Sequence, residues 1–123
     1  MKAQILQTFA ALALFTTSAT AQDNAMENHT ASYIAMPAAE GQTGAFAEFL
    51  AGAARIVRET ETGTVLWFAL QADDMLAIFD IFADEEARDA HFSGAVAAAL
   101  KQNADALVDG GWDDGVVANI NNS

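Results

Sequence analysis

His91 is the titratable side chain of this sequence that is best suited to chemistry. An imidazole gains and loses a proton near neutral pH, so a histidine can act as a general acid or base, or as a ligand. The predicted second helix places His91 on a stripe of small residues, which would leave room between that helix and a sheet. His91 could project into this gap, or it could lie at the edge of the core with its ring bonded to a backbone carbonyl. The small residues of the stripe are Ala87, Gly94, Ala95 and Ala98.

Trp67 and Asp80 are two further candidates, and both lie in predicted strands. An indole ring can stack against an aromatic ligand, although packing in a core or an interface explains a tryptophan equally well. Asp80 is the only charge in the apolar stretch from Ile78 to Phe82, and a charge among apolar neighbours needs a partner. That partner could be Arg88 or an arginine of the first helix, or the carboxylate could line a binding site.

The composition argues against several classes of function. The formal net charge is −12, from 17 acidic and 5 basic residues. Phosphate contacts need clustered lysine and arginine, so this balance argues against nucleic acids and equally against anionic membrane surfaces. The sequence has no cysteine, which excludes a disulfide, a thiol nucleophile and a cysteine-based metal site. Its two histidines are far apart in sequence, and it has no glycine-rich phosphate-binding motif.

The first 21 residues are typical of an export signal. A positive residue, Lys2, precedes a mainly apolar run from Ile5 to Phe15, and the small residues Ala19-Thr20-Ala21 then suggest a cleavage site. The run is shorter than the roughly 20 apolar residues that cross a bilayer, although a retained anchor is the alternative. We therefore predict a signal peptide at 1–21, a flexible linker at 22–30, and a periplasmic or secreted protein without membrane contact after cleavage.

The remaining sequence alternates between strand and helix patterns. Residues recurring at the spacing of one helical face predict a helix over Thr43–Thr60 with Thr43 as its N-cap, and Asp84 is the predicted cap of a second helix that Gly94 bends or breaks. The resulting order, β-α-β-β-α-β, predicts an α+β, ferredoxin-like domain over residues 31–120 and a tail at 121–123. The predicted strands are Ser32–Met36, Thr64–Leu70, Met75–Phe82 and Gly115–Ile120.

The two central strands are apolar on both faces. An antiparallel sheet with one solvated face would alternate apolar and polar residues instead. The two predicted helices can cover only one face, so a second copy of the sheet is the simplest cover for the other. We therefore predict a homodimer.

Three segments of the chain resemble the antibiotic biosynthesis monooxygenase family. They are residues 64–70 (TVLWFAL), 78–82 (IFDIF) and 84–92 (DEEARDAHF). The resemblance implies a dimeric α/β barrel with a pocket between sheet and helices in each subunit. It also implies chemistry without flavin, haem or metal, in which a reduced phenol or hydroquinone itself supplies the electrons to oxygen. Haem ligation as in the haem-degrading members is not expected, because residues 97–100 read AAAL where those proteins carry a histidine.

Two hypotheses follow from the residues and the resemblance together. The first is a cofactor-independent monooxygenase-like enzyme for a small quinol or phenol, with His91 as the catalytic residue and Trp67, Asp80 and Phe82 in substrate binding, and no metal. The second is a non-catalytic ligand-binding or stress-associated module with the same barrel. The second is favoured by the export signal, by the lack of a charge beside His91 that would tune its pKa, and by Gly63 near the position where the resembling aromatic polyketide oxygenases carry a supporting asparagine.

Overall fold

Four antiparallel strands and three α-helices build residues 29–122, the part of the chain that this computed structural model describes. The predicted signal peptide and most of the predicted linker lie outside these residues, so export stays a prediction. The order of elements confirms the β-α-β-β-α-β pattern, and the predicted bounds of α1 and β3 are those observed. The elements are β1 (Thr30–Pro37), α1 (Thr43–Thr60), β2 (Thr64–Ala72), β3 (Met75–Phe82), α2 (Glu85–Phe92), α3 (Ala95–Leu107) and β4 (Ile120–Asn122).

The strands form one sheet in the order β2-β3-β1-β4. Strands β2 and β3 are a hairpin whose turn contains Asp73 with a left-handed φ of 52°. Strand β3 lies in the middle of the sheet and pairs with β1 along the whole length of both strands. The side chains of successive residues point to opposite faces, so each strand contributes to an inner and an outer face of the sheet.

The predicted last strand over Gly115–Ile120 is wrong. A π-helical turn (Gly111–Val116) and a 3₁₀ turn (Val117–Asn119) occupy most of that stretch, and β4 begins only at its end. The chain bends sharply here, because Gly110 and Gly111 have φ values of 89° and 63°, which favour glycine. The predicted tail therefore starts inside β4, which pairs with β1 over three residues.

The helix ends agree with the predictions in two of three cases. Asp84 caps α2, since its side chain accepts a hydrogen bond from the Ala87 amide at 2.8 Å. The break predicted at Gly94 is present, with α2 and α3 on either side of it. Thr43 is not the N-cap of α1, because Gln42 takes that position and the Thr43 hydroxyl instead donates to Asp74 Oδ1 at 2.9 Å. That bond ties the start of α1 to the β2–β3 turn.

The core lies between the inner face of the sheet and the helices α1 and α3. It contains Phe46 and Leu50 of α1 and Leu100, Ala104 and Leu107 of α3, packed against Ile34, Met36, Leu76 and Ile78 of the sheet.

Within residues 29–122, no helix lies over the outer face of the sheet. Its apolar side chains are partly solvent-exposed, as expected from the double-sided pattern of the sequence. The exposed outer-face side chains include Tyr33, Leu66, Phe68 and Leu70, at 42%, 44%, 48% and 53% exposure.

Within residues 29–122, no helix is both long enough and apolar enough to span a membrane.

Gly63 allows the loop between α1 and β2 to touch helix α2. A Cβ atom at this position would lie 2.6 Å from the Cβ of Ala87, which is closer than real Cβ contacts. Gly52, in the middle of α1, is the opposite case, because a Cβ there would meet nothing within 4 Å.

We therefore expect Gly63→Ala to lower the free energy of unfolding by about 1–3 kcal/mol, the usual cost of overpacking. The matched control, Gly52→Ala, should raise it by about 0.5–1 kcal/mol, because alanine loses less conformational freedom in a helix. Urea unfolding of the two variants and the parent protein measures both changes. A neutral Gly63→Ala would show that the loop does not rest on α2.

Candidate functional site

A small cavity lies between the sheet and helix α3, and three of its lining side chains are the polar candidates Trp67, Asp80 and His91. Its volume is about 30 Å³, enough for a water-sized group. The three candidates from the sequence thus meet at one place. The rest of the wall is formed by Ile34, Ile78, Phe92, Val96, Ala97, Leu100, Trp112, Val116 and Ile120.

The register of the sheet brings two of these polar residues side by side. Asp80 in the central strand β3 is paired with Trp67 of β2 on one side and with Ser32 of β1 on the other. Directly paired residues point to the same face, so all three side chains belong to one row across the inner face. Helix α2 then supplies His91 from above that row.

His91 lies between two carboxylates. Its Nδ1 is 2.6 Å from Glu61 Oε2, at the C-terminal end of α1, and its Nε2 is 3.4 Å from Asp80 Oδ2. The histidine is buried, with 6% of its surface exposed. The expectation of no charge near His91 is therefore wrong, as is the alternative of a ring bonded to a backbone carbonyl, because the fold brings both charges in from distant parts of the chain.

Asp80 is fully buried and its partners are not arginines. Its Oδ1 accepts a hydrogen bond from the Ser32 hydroxyl, and its Oδ2 faces His91. Arg88, the partner considered from the sequence, pairs instead with Glu85 in the first turn of its own helix. Asp80 points to the inner face of the sheet, where its paired neighbour Ser32 supplies the hydroxyl.

Burial raises the pKa of the Asp80 carboxyl above its ordinary value. The hydrogen bond from Ser32 and the charge of His91 act against this rise, and the negative charge of Glu61 adds to it. A carboxyl whose pKa is raised by burial is a better proton acceptor than an exposed one, which suits it to acid–base chemistry.

Two buried polar atoms of residues that line the cavity have no hydrogen-bond partner among the described residues. They are the indole donor Nε1 of Trp67 and the acceptor Oδ2 of Asp80. Leaving such a group unsatisfied costs about 1–3 kcal/mol, so proteins rarely bury one without a reason. One unsatisfied donor and one unsatisfied acceptor thus belong to residues that line the same cavity.

Phe82 has a different place from the one predicted. It is fully buried and packs against the ring of His91, with 5.3 Å between the ring centroids, but it does not line the cavity. Phe92 flanks the same imidazole at 5.5 Å. The two phenyl rings hold His91 in its orientation, so the contact of Phe82 is with the histidine.

A groove of about 340 Å³ lies on the other side of His91. The small residues of the helix stripe line it, apart from Ala98, as the sequence led us to expect. Glu61 and His91 are its ionisable residues, and the rest of its lining is Thr60, Thr62, Gly63, Thr64, Ala87, Ala90, Gly94 and Ala95.

Sequence reasoning missed two members of this site, Glu61 and Ser32. Glu61 stands between two threonines in a loop, and Ser32 starts a predicted strand, so neither has a pattern that points to His91. No group of three or more histidine, cysteine, aspartate or glutamate side chains in residues 29–122 is arranged to hold a metal ion.

The raised pKa of Asp80 has a testable consequence for stability. A carboxyl with a higher pKa in the folded than in the unfolded state contributes stability that is fully present below the unfolded value, 3.8, and is lost as the pH rises through the folded value. Relative to Asp80→Asn, which cannot titrate, the parent protein should therefore become less stable as the pH rises from about 4 towards neutrality.

Urea unfolding of both proteins across this range measures the difference. Asp89→Asn, at an exposed position of α2, is the control and should show a difference that does not depend on pH in this way. A parent protein that gains stability over Asp80→Asn with rising pH would mean that Asp80 ionises more easily in the folded state.

The chain is similar to several solved structures. No protein-family model matches the chain, and no curated protein is significantly similar to it. The chain is similar to the solved structure of the NE2512 protein of unknown function from Nitrosomonas europaea, with 36% sequence identity, coverage of 77% of this chain and 84% of that chain, and a TM-score of 0.62.

Two other solved structures are similar at lower identity. A candidate antibiotic biosynthesis monooxygenase from Chloroflexus aurantiacus has 15% identity over 78% of this chain and 91% of that chain, with a TM-score of 0.60. PA3566 from Pseudomonas aeruginosa has 17% identity over 80% of this chain and 94% of that chain, with a TM-score of 0.64.

These likenesses differ in what they establish. The two at low identity show the fold alone, and they confirm the α+β, ferredoxin-like fold of the single chain. The likeness to NE2512 is a family relationship, because it combines 36% identity with coverage of most of both chains. The chain therefore belongs to the protein family of NE2512 and has the ferredoxin-like fold of the antibiotic biosynthesis monooxygenases.

Proposed function

We propose that this protein is a cofactor-independent monooxygenase-like enzyme that oxidises a small quinol or phenol in the cavity beside His91. One observation carries the proposal: Trp67 and Asp80 line the same buried cavity, and the Trp67 indole N–H and Asp80 Oδ2 have no hydrogen-bond partner among the described residues. A phenolic hydroxyl is both a donor and an acceptor, so a single such group satisfies both atoms.

The hydroxyl would bind with its O–H donating to Asp80 Oδ2 and its oxygen accepting from Trp67 Nε1. Trp67 would thus act through its N–H as well as through its ring. The raised pKa of Asp80 favours transfer of the hydroxyl proton to its carboxylate. His91 Nε2 lies 3.4 Å from Asp80 Oδ2 and supports that transfer. An electron-rich phenolate is the form of the substrate that oxygen oxidises most readily.

The overall reaction balances without a further reductant. A hydroquinone and one O₂ give a hydroxyquinone and one water: the ring loses four electrons, one oxygen atom enters the ring, and the other leaves as water. The residues of this chain bind the hydroxyl, hold its proton and exclude solvent from the ring.

A quinol ring is larger than the cavity, so its binding requires the wall to move. The wall segment that fits this task is the π-helical turn after α3, which contributes Trp112 and Val116. Trp112 is partly buried, and the Lys101 ammonium lies 5.7 Å from the centroid of its ring. Movement of this turn would enlarge the cavity without disturbing the sheet.

Both tryptophans of the sequence line the cavity, so intrinsic fluorescence reports on binding directly. We expect reduced quinones to change this fluorescence and to be oxidised with uptake of oxygen. His91→Ala should lower turnover by about 100-fold or more, the usual contribution of a positioned acid–base group. Trp67→Phe should weaken binding by about tenfold, because it keeps a ring but loses the N–H donor.

The outcomes of this experiment separate the two hypotheses. A fluorescence change without oxygen uptake would identify a non-catalytic binding module. If a panel of quinols and phenols changes neither signal, the cavity does not bind this class of ligand. Trp112→Phe, which leaves Trp67 as the reporter, checks that the fluorescence change arises at the cavity.

We also propose that the protein is a homodimer joined through the outer face of the sheet. Leu66, Phe68 and Leu70 expose about half of their surfaces there, next to Tyr33 on the same face. Monomers rarely leave a contiguous apolar patch of this kind open to water. A twofold axis lets one patch serve both partners, and salt screens the repulsion between the two acidic chains beyond about 8–10 Å.

Phe68→Glu tests the dimer, because it introduces a charge into the centre of the proposed interface. Light scattering should give twice the chain mass for the parent protein and a monomer for the variant. Glu59→Gln, at an exposed position on α1, is the control and should leave the mass unchanged. A monomeric parent protein at micromolar concentration would contradict this proposal.

A further inference from the structure

We propose that Asp80, His91 and Glu61 form a proton relay, in which Glu61 carries the substrate's hydroxyl proton from the buried cavity to the outer groove. This inference rests on the proposed function and adds to it a residue that never touches the substrate. His91 is the centre of the relay, because it lines the cavity on one side and the groove on the other.

The two ring nitrogens of His91 point to different sides of this wall. Nε2 faces Asp80, which lines the cavity, and Nδ1 faces Glu61, which lines the groove. An imidazole can accept a proton at one nitrogen and release another from the other nitrogen, and this property is what a relay across a wall requires.

The exposure of the side chains increases from Asp80 through His91 to Glu61, in the direction of the groove. The side chain of Asp80 is 0% exposed, that of His91 7% and that of Glu61 17%. The outermost carboxylate is therefore the one that exchanges protons with solvent. The two rings packed against His91, Phe82 and Phe92, are uncharged, so the charged groups paired with His91 in residues 29–122 are these two carboxylates.

Glu61 is held in place to receive the proton. Its Oε2 accepts a hydrogen bond from the Thr64 hydroxyl at 2.8 Å in addition to its contact with His91. Its Oε1 lies close to Gly94, at 3.6 Å from the point where a Cβ would stand. The break between α2 and α3 therefore gives this carboxylate its room.

The proton count of the relay is consistent. With Glu61 ionised, the Nδ1–H of His91 donates to it, and Nε2 and Asp80 Oδ2 face each other. When the hydroxyl O–H bond breaks, its proton passes through Asp80 Oδ2 and forms a new N–H bond at His91 Nε2. The Nδ1–H bond then releases its proton through Glu61 to solvent in the groove. The reverse transfer restores the first tautomer when a later oxygen intermediate is protonated to water.

Glu61→Gln tests the relay, because the amide keeps the size and the acceptor oxygen of the side chain but cannot carry the proton. We expect turnover of quinol to fall by about 100-fold, while binding measured by tryptophan fluorescence stays the same. Added imidazole, a small base that fits the groove, should restore part of the rate. Glu61→Asp, which keeps a carboxyl group, should keep more activity than Glu61→Gln, and Glu59→Gln should behave as the parent protein does.

A second measurement needs no turnover. The sequence has two histidines, so ¹⁵N-histidine labelling and a His29→Gln variant assign the ring signals of His91. The relay predicts that the Nδ1–H of the parent protein exchanges quickly with water through Glu61 and that this fast exchange is lost in folded Glu61→Gln. Thermal unfolding of the variant establishes that it is folded.

The outcomes are distinct for the two proposals. Equal exchange in the parent protein and in folded Glu61→Gln would overturn the relay, whatever the turnover shows. Full turnover in Glu61→Gln would overturn it as well. Loss of fast exchange in a protein that oxidises no quinol would uphold the proton path and contradict the proposed function.

Discussion

The contact of His91 with two carboxylates is the interaction on which the rest of the site depends. Asp80 is fully buried, and a buried charge without a partner is so costly that breaking such a pair from one side typically costs about 3–5 kcal/mol. Ser32 and His91 together compensate for the burial of the Asp80 carboxylate, and Glu61 is the second carboxylate in contact with His91. Strands β1 and β3, the end of α1, and α2 are therefore constrained by one set of contacts.

Two glycines position the backbone so that the contacts among Asp80, His91 and Glu61 can form. Gly63 brings the loop after α1 against Ala87 of α2. The same loop contains Glu61. Gly94 ends the first segment of the helix and leaves space for the Glu61 carboxylate. The same two glycines contribute to the groove beside His91, so the features that permit the contact also open it to solvent.

The cavity and the proposed dimer interface are built from adjacent residues of the same strands. Trp67 points to the inner face and Phe68 to the outer one, and Asp80 and Phe79 alternate in the same way on β3. A shift of the register by one residue would exchange the two sets, and it would expose the charge and bury the interface. Pairing over the full length of β1 and β3 keeps this register, so the central strand supports both surfaces at once.

What the sequence by itself determined is the order of the elements and the general surroundings of the site. Helical periodicity located α1, and an apolar run located β3. The double-sided apolar pattern predicted a second cover for the sheet, and the unusual residues Trp67, Asp80 and His91 marked the cavity. These features depend on neighbours close in sequence, for which hydrophobic spacing and helix-breaking residues carry the information.

Only the tertiary structure decided which groups act on one another. Glu61 is 30 positions from His91, and Ser32 is 48 from Asp80, so no local pattern could pair them. The last strand was also decided by the packed chain, because a π-helical turn and a 3₁₀ turn occupy residues 111–119 and β4 begins only at Ile120. Burial, charge compensation and strand register are properties of the packed chain, and they alone turn a histidine on a stripe of small residues into the link between a cavity and a groove.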